Sequence, residues 1–233
     1  ASTSAGGSGS GGGAPAPGGA AAAELEEVVT MLLKRVNAND WRERSEGIKE
    51  LEKAIGAKWH RGLASHTVTV FDSLVMRLND GNSKVNVLAL QSLSRILPMV
   101  GESAVAVLNT LVPALAANLG STNSGIAAAA GEAMRTLTRS LSDPSRLVQH
   151  VAHFAKFSTR GKPAMMLSIV GTLDELIPGC WEHRPHLVHK YVVPCVVALQ
   201  ASAQNSQCRA AVAQLRARLA VLDADVARAL GVK

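Results

Sequence analysis

The sequence predicts an all-α protein in which about five helical hairpins and a short C-terminal helix stack into an α-solenoid. Three observations support this prediction. Of the 233 residues 47% are apolar, but only seven are aromatic, and such a composition suits closely packed helices better than a sheet sandwich. Apolar residues recur at every fourth position. The whole pattern also repeats with a period of about 40 residues.

The repeat is visible in two independent patterns. The segment 111–115 (Leu-Val-Pro-Ala-Leu) is echoed 81 residues later by the segment 192–196 (Val-Val-Pro-Cys-Val), which is two periods on. Four apolar sets with a spacing of four also begin 41, 39 and 43 residues apart. These sets are Val85/Ala89/Leu93, Ile126/Ala130/Met134, Met165/Ile169/Leu173 and Cys208/Val212. Each set is the buried stripe expected of one helix in a repeated hairpin.

Each repeat is predicted to contain two helices joined by a short polar turn. The predicted helix pairs are 24–37 with 40–57, 63–79 with 82–99, 103–119 with 123–141, 144–157 with 163–177, and 185–201 with 206–221, followed by a stub at 223–230. Polar residues and first-turn prolines mark the helix starts. Pro98 and Pro178 are predicted to close their helices. Pro113 and Pro194 fall inside first helices and should bend them, which is characteristic of HEAT-type repeats.

The first 23 residues are predicted to be a disordered linker, and residues 24–233 to be the repeat domain. The linker consists almost entirely of Gly, Ser, Ala and Pro without any charge, so it cannot bury enough apolar surface to offset ordering. It does not have the pattern of a signal peptide. Because the chain begins without Met, we expect a fragment of a longer protein or a processed one. The apolar stretch 104–119 contains Asn109, Thr110, Pro113 and Asn118, so a membrane span is not expected.

Charge and cysteine content limit the classes of partner. The net charge of +6 favours an acidic partner. No Lys/Arg block is present, which argues against nucleic acid and membrane as partners. The three cysteines, Cys180, Cys195 and Cys208, are odd in number and lack a disulfide-framework spacing, which favours a reducing, intracellular setting.

Stacked hairpins align their internal turns along one edge, which creates a candidate binding surface. Trp41 would stand at one end, and the later turns would contribute cations, except for the third, which offers Ser121, Thr122, Asn123 and Ser124. The cations are Lys84, Arg160, Lys162 and Arg209. Turns are also polar simply because they face water. An aromatic residue aligned with cations nevertheless favours a binding edge, since Trp and Arg are enriched at interface hot spots.

Trp41 is the most unusual residue of this edge, because a large aromatic in the first turn of a charged helix is rare. Asp40 is expected to cap this helix by accepting backbone N–H bonds. Ile48, Leu51 and Ile55 recur at spacings of three and four, so the helix buries a different face. Trp41 is therefore either a lid over the end of the core or an exposed anchor for a partner, and we predict that it is exposed.

The segment 39–44 (Asn-Asp-Trp-Arg-Glu-Arg), followed by Gly47 and Ile48, resembles the first turn of a TOG domain, the tubulin-binding HEAT-repeat paddle of microtubule regulators. The segment 80–85 (Asp-Gly-Asn-Ser-Lys-Val) is similar to the second turn of that family. The segments 180–183 and 189–194 further resemble the crescerin type of ciliary TOG arrays. The resemblance extends over residues 24–221, nearly all of the predicted helical region.

The resemblance implies that the turn residues contact α/β-tubulin or the microtubule lattice, with Trp41 on β-tubulin and the later basic turns toward α-tubulin. The implied tubulin-binding residues are Trp41, Arg42, Asn82, Ser83, Lys84, Asn123, Arg160, Lys162 and Arg209. It also implies a monomeric module without cofactor, within a larger regulator of microtubule dynamics in the cytoplasm, cytoskeleton or ciliary axoneme. The cation-free third turn and the reduced last repeat favour the lattice, or a scaffolding role, over free tubulin.

Two other function classes remain open at this stage. One is a HEAT-repeat protein–protein scaffold that does not bind tubulin. The other is an enzyme of HEAT architecture, such as the alkyl-base glycosylases, which would need aromatic residues and a carboxylate on a concave basic face. Seven scattered aromatics argue against that enzyme and against nucleic-acid stacking, so no catalytic activity is expected.

A metal site is the remaining alternative, because Cys180, His183, His186 and His189 are spaced by three. Arg184 and Pro185 interrupt this series, and a helix cannot direct four successive i+3 groups at one point. We therefore expect no metal site there, and we expect His150 and His153 to be packed or solvated residues.

Overall fold

The computed structural model describes residues 17–58 and 62–232, and within these two ranges the regular structure is helical, without a β-strand. The α-helices are α1 (Pro17–Val36), α2 (Trp41–Lys58), α3 (Thr67–Arg77), α4 (Ser83–Val100), α5 (Leu108–Leu119), α6 (Ser124–Ser140), α7 (Ser145–Ser158), α8 (Pro163–His183), α9 (Pro185–Leu187), α10 (Val193–Ser202), α11 (Ser206–Leu222) and α12 (Ala224–Ala229). Leu63–His66 and Gly101–Val107 form 3-10 turns, and Val188–Val192 is a π-helical turn.

The helices form two layers. Helices α1, α3, α5, α7 and α10 contact one another in succession, and so do α2, α4, α6, α8 and α11. Each helix of the first layer also packs on the helix that follows it in the second, and α12 packs on α11. The predicted solenoid of five hairpins with a short C-terminal helix is therefore confirmed.

The core is a single apolar cluster between the layers, extending from Val29 in α1 to Leu230 after α12. The repeated apolar sets predicted from the sequence are all buried, and so are Ile48, Leu51 and Ile55. A repeat cannot bury its apolar stripe alone, so stacking against neighbours is what makes each hairpin stable. The stacking also fixes the positions of the turns that join the two layers.

Several predicted boundaries are wrong. Helix α1 begins at Pro17, so residues 17–23 are helical rather than part of a linker, while residues 1–16 of the predicted linker lie outside the described residues. Helix α8 continues through Pro178 to His183, and α4 continues two residues past Pro98. A proline within the last turns of a helix loses one backbone bond, but apolar packing of the flanking residues compensates for that loss here.

The two prolines inside first helices behave differently. Helix α5 continues through Pro113 without an irregular segment. Pro194 lies at the start of α10, immediately after the π-helical turn, in which the N–H of Val193 donates to the carbonyl of Val188. Of the two first helices that were predicted to bend at a proline, only the one containing Pro194 is irregular, and its irregularity is a widened π-helical turn.

The segment Ser83–Leu119 is long and apolar enough to cross a membrane by length and composition, and 44% of its most apolar window is buried inside the fold. The segment is divided into α4, a 3-10 turn and α5. Leu90, Leu93, Leu111 and Leu115 from these helices lie in the core. Packing within the solenoid therefore accounts for the apolar character of this segment.

Candidate functional site

The five turns that join the layers lie next to one another and form a continuous strip, which we call the turn edge. It comprises the turns 37–40, 78–82, 120–123, 159–162 and 203–205 together with the first turn of the helix that follows each of them, which includes Trp41, Lys84 and Arg209. The first two turns line a shared open hollow of about 530 Å³. Gly120 of the third turn lies against Met165, in the helix that follows the fourth turn. The fourth and fifth turns face each other across a cleft of about 150 Å³.

Trp41 is half-buried at the first turn, so the prediction that it is exposed is wrong. Asp40 caps α2 as expected, because its Oδ1 accepts hydrogen bonds from the N–H groups of Arg42 (2.8 Å) and Glu43 (3.3 Å). The indole packs partly against the core. Its ring also lies 4.8 Å from Arg42 Cζ and 5.6 Å from Lys84 Nζ. Trp41 is therefore a core lid that still offers part of its surface, with two cations beside it.

Arg44 connects the first turn to the second. Its Nε and Nη2 donate to the Asp80 carboxylate at 2.7 and 2.8 Å, and its Nη1 donates to the carbonyls of Ala38 (3.0 Å) and Asn39 (2.7 Å). Asp80 also accepts hydrogen bonds from Arg77 and from the N–H of Asn82. The Asp80 side chain is only 2% exposed. One ion-pair network therefore fixes both turns on either side of Trp41.

The Asp80 carboxylate is ionised in this network. Burial alone would raise the pKa of Asp80, but hydrogen bonds from Arg44 and Asn82, together with the charges of Arg44 and Arg77, outweigh burial and lower the pKa below its ordinary value. The network is therefore intact at neutral pH. Its contribution to stability is present above the unfolded-state pKa and is lost as the pH falls through the folded-state pKa.

Buried amides connect the second turn to the third. The Nδ2 of Asn118 in α5 donates to the carbonyl of Leu78 at 2.9 Å, and the Nδ2 of Asn86 in α4 donates to the Oδ1 of Asn118 at 3.1 Å. Leu78 follows α3, whose terminal carbonyls need donors from outside the helix. Two polar residues within apolar stripes thus donate hydrogen bonds at the C-terminal end of α3 and hold the second and third turns in register.

Asparagine residues cap the helices that follow three of the turns. Asn82 accepts a bond from the N–H of Lys84 at 2.9 Å, Asn123 from those of Gly125 (3.0 Å) and Ile126 (3.3 Å), and Asn205 from that of Cys208 (2.7 Å). The side-chain oxygens of Asn82 and Asn123, both predicted tubulin contacts, are thus engaged in capping. Asn82 is half-buried and Asn123 is exposed.

The fourth turn departs from this pattern, because a lysine occupies its cap position. Lys162 makes no side-chain bond to α8. Pro163 at the first helical position has no N–H, so one of the backbone donors left unpaired at a helix start is absent. Gly161 has a φ of +73°, a conformation that favours glycine. The exposed Lys162 side chain is consequently not engaged by its own helix.

The predicted cations of the turn edge are exposed, and none of them has an acidic partner among the described residues. Lys84, Arg160, Lys162 and Arg209 form no ion pair within the described ranges. Arg209 donates to the carbonyl of Gln204 at 2.7 Å, and Arg42 lies 3.9 Å from Asp40. Ser83 is exposed beside Lys84. The turn edge therefore carries positive charge that the domain does not neutralise.

Within the described residues, the cysteine and histidine side chains do not form a cluster that could hold a metal ion. Cys180, Cys195 and Cys208 are buried free thiols. Burial raises the pKa of Cys195 to about 12 and also raises the pKa of Cys180, so both stay protonated at neutral pH. Among residues 17–58 and 62–232, no three His, Cys, Asp or Glu side chains lie together as a metal would require.

Sequence reasoning missed the residues that hold the turn edge in shape. Arg44 and Asp80 both lie in segments of the family resemblance, but nothing in their spacing indicates that they pair across 36 residues. Asn86 and Asn118 gave a clearer signal, because each places an amide where the helical period calls for an apolar side chain. Such a residue points to a buried hydrogen bond.

Known proteins resemble this chain in sequence. It is 32% identical over 172 residues, or 73% of its length, to the mouse TOG array regulator of axonemal microtubules protein 1. The human protein of the same name is 30% identical over 79% of the chain. A CLIP-associated protein of Arabidopsis thaliana is 28% identical over 53%. The chain spans only about a tenth of the length of the first two relatives, and it matches no protein-family model.

Solved structures resemble the fold. One, described as "TOG-tubulin binding specificity promotes microtubule dynamics and mitotic spindle formation", has a TM-score of 0.68 at 14% identity and covers 91% of this chain and 86% of its own. Drosophila melanogaster Mini spindles TOG3 has a TM-score of 0.61 at 15% identity, with coverages of 87% and 86%. The chain is a HEAT-repeat domain with the TOG fold, homologous to part of the TOG array regulators of axonemal microtubules.

Proposed function

We propose that this domain binds tubulin through its turn edge, as one module of a larger regulator of microtubules. The proposal is carried by one observation: the strip presents a partly accessible Trp41 together with four cations that have no acidic partner among the described residues. Two further points support it. The relatives are named as regulators of axonemal microtubules, and a protein with the same fold is described by its tubulin-binding specificity.

The two kinds of group have different roles in this mechanism. Trp41 supplies apolar contact at one end of the strip, and because Arg44 and Asp80 fix its turn, little ordering entropy is lost on binding. Lys84, Lys162 and their neighbours face an acidic partner surface, where rim charges mainly accelerate encounter and set register. The buried contact sets the residence time.

The names of the relatives, which refer to axonemal microtubules, support the proposed location. A strip that combines an aromatic side chain with exposed cations is suited to binding an acidic protein surface. We propose a monomeric domain that acts on the cytoskeleton, at the axoneme of a cilium or flagellum, with tubulin rather than nucleic acid or membrane as the partner. The side chains of Asn82 and Asn123 are engaged in capping, so we propose that they contribute to binding by fixing the backbone of the second and third turns.

The test is co-sedimentation of the chain with microtubules, together with binding to free tubulin. Replacement of Trp41 by Ala should weaken binding by about 10- to 30-fold, because the loss of an interface hot spot costs about 2 kcal/mol. Since the indole is half-buried, the melting temperature should fall by a few degrees. Trp181→Ala is the matched control, because Trp181 is also half-buried against the core but lies away from the turn edge.

The control variant should lose similar stability and keep its affinity within about twofold. Equal losses of binding in both variants would mean that folding, rather than the indole, explains the effect. A domain that binds neither microtubules nor free tubulin would be a scaffold for another protein. Duplex DNA in the same assay separates tubulin binding from a general affinity for polyanions, and binding of equal strength to DNA contradicts the proposal.

A further inference from the structure

A second surface lies on the layer of first helices, and its end at Ser158 adjoins the fourth turn. Two adjoining hollows, of about 500 and 360 Å³, share Gln149 and His150 of α7. The outer face of α7 forms the floor between them, with α5 on one side and the segment 184–191 on the other. We call this surface the α7 groove. It is long enough to follow the exposed side of one helix and is not part of any turn of the turn edge.

The groove gathers aromatic residues that are scattered in the sequence. Phe154, Phe157 and Tyr191 line its larger hollow, and they are three of only seven aromatics in the chain. Phe157 is 66% exposed, and its ring lies 5.1 Å from that of His153. Exposed aromatic side chains in a concave surface are typical of protein-binding sites.

Cations surround these aromatics. Lys156 Nζ lies 5.3 Å from the centre of the Phe157 ring, and Lys190 Nζ lies 5.1 Å from that of Tyr191. Arg146 and Arg184 line the smaller hollow and both contact Asp143, so that carboxylate is already neutralised. None of the described residues that line either hollow is acidic. The groove thus combines a floor of aromatic and polar side chains with two lysines, Lys156 and Lys190, that form no ion pair within residues 17–58 and 62–232.

The backbone around the groove also has features suited to an extended peptide. Pro113 has no N–H to donate to the carbonyl of Asn109, and both residues line the larger hollow. On the opposite wall, Tyr191 lies in the π-helical turn, an irregularity that frequently occurs at functional sites. One wall therefore contains a residue whose carbonyl lacks its usual helical donor, and the other contains an aromatic side chain in a widened turn.

We propose that the α7 groove docks an acidic peptide segment of a partner protein, with an aromatic or large aliphatic side chain of that segment inserted between Phe157 and Tyr191. Charge complementarity is the reason for choosing an acidic occupant. The carboxylates of the peptide would contact Lys156 and Lys190, and its apolar residue would cover the exposed ring of Phe157. This site is separate from the turn edge and does not depend on the proposed binding of tubulin.

The experiment is a selection of random phage-displayed peptides on the full chain, followed by fluorescence anisotropy of the enriched peptides. Enriched sequences should be rich in Asp and Glu around one aromatic or large aliphatic residue. Replacement of Phe157 by Ala should weaken the selected peptide by about tenfold or more. Because Phe157 is exposed, the variant should fold normally, and Met76→Ala, which removes another exposed apolar side chain, should bind as the wild type does.

Charge is tested separately. The double variant Lys156→Glu with Lys190→Glu should lose about tenfold or more in affinity, with the larger loss at low salt. Lys53→Glu with Arg139→Glu changes the net charge equally, at exposed positions of the other layer, and should leave the affinity unchanged.

Several outcomes would overturn the proposal. These are a selection that enriches no peptide, enriched peptides without acidic residues, and binding that tolerates the loss of both Phe157 and the two lysines. Competition by a single-stranded oligonucleotide would instead assign the groove to nucleic acid. Reduced co-sedimentation of Phe157→Ala with microtubules would make the groove part of the tubulin-binding surface. If only Trp41→Ala loses tubulin binding and still binds the selected peptide, the turn edge and the groove are separate sites, as proposed.

Discussion

The first two turns of the turn edge and the fourth turn are built in opposite ways. Arg44 and Asp80 connect the first two turns through a nearly buried ion pair, and Asp40 and Asn82 cap the helices that follow. The fourth turn has neither a cross-connection of this kind nor a side-chain cap, and Lys162 occupies the position where the other turns have Asp or Asn. One region is fixed in place and the other presents charge.

The difference shows how one repeated element can serve two purposes. A cation at a helix N-terminus is unfavourable because it faces the positive end of the helix dipole. The domain is therefore expected to be less stable with Lys162 than with an asparagine at this position. Departures of this kind from local folding rules concentrate at functional sites. The Trp41 end of the strip is therefore held in its binding conformation before a partner arrives, whereas the Lys162 end attracts an acidic partner by its charge.

The largest expected effect concerns the connected turns. Arg44→Ala leaves the Asp80 carboxylate buried without its main partner, so the free energy of unfolding in urea should fall by about 3 kcal/mol. Arg218→Ala is the matched control because the Arg218–Asp174 pair is more exposed, and its loss should cost at most about 1 kcal/mol. Equal costs for the two substitutions would remove the contrast between connected and free turns.

The cap position of the fourth turn is expected to give the next largest effect. Lys162→Asn introduces the residue type that caps the helices after the second and third turns. The substitution should stabilise the domain by up to about 1 kcal/mol. The same substitution should weaken microtubule binding by a few-fold, because it removes one rim cation. Asn82→Ala serves as the reciprocal control and should destabilise by about 1 kcal/mol. A Lys162→Asn variant that is less stable than the wild type contradicts the proposed trade-off.

The smallest effect is expected for reversal of the exposed charges. The double variant Lys84→Glu with Arg209→Glu should leave the melting temperature almost unchanged and reduce the association rate with tubulin at low salt. The difference from the wild type should diminish as the ionic strength rises. A salt-independent loss would instead indicate that Lys84 acts through its contact with the Trp41 ring.

Much of the fold followed from local patterns. The period of about 40 residues predicted the hairpins, and the residues Asp40, Asn82 and Asn123 each cap the helix expected to follow them. The prediction was less accurate at Pro178 and at residues 17–23, where favourable helical packing or alanine content outweighed the signals of proline and glycine. For the candidate site, the order of the turns and the positions of their cations could be predicted from the sequence, but the exposure of Trp41 could not.

The sequence by itself determined the repeat, the two helices of each repeat and the charge of every turn, because these depend on residue types at short spacings. Only the tertiary structure decided how Trp41 divides between core and surface, because that depends on the packing of α2 against its neighbours. The same holds for the pair of Arg44 with Asp80 and for the groove that joins Phe157 to Tyr191. Their members lie more than 30 residues apart in the chain and meet only when the repeats stack.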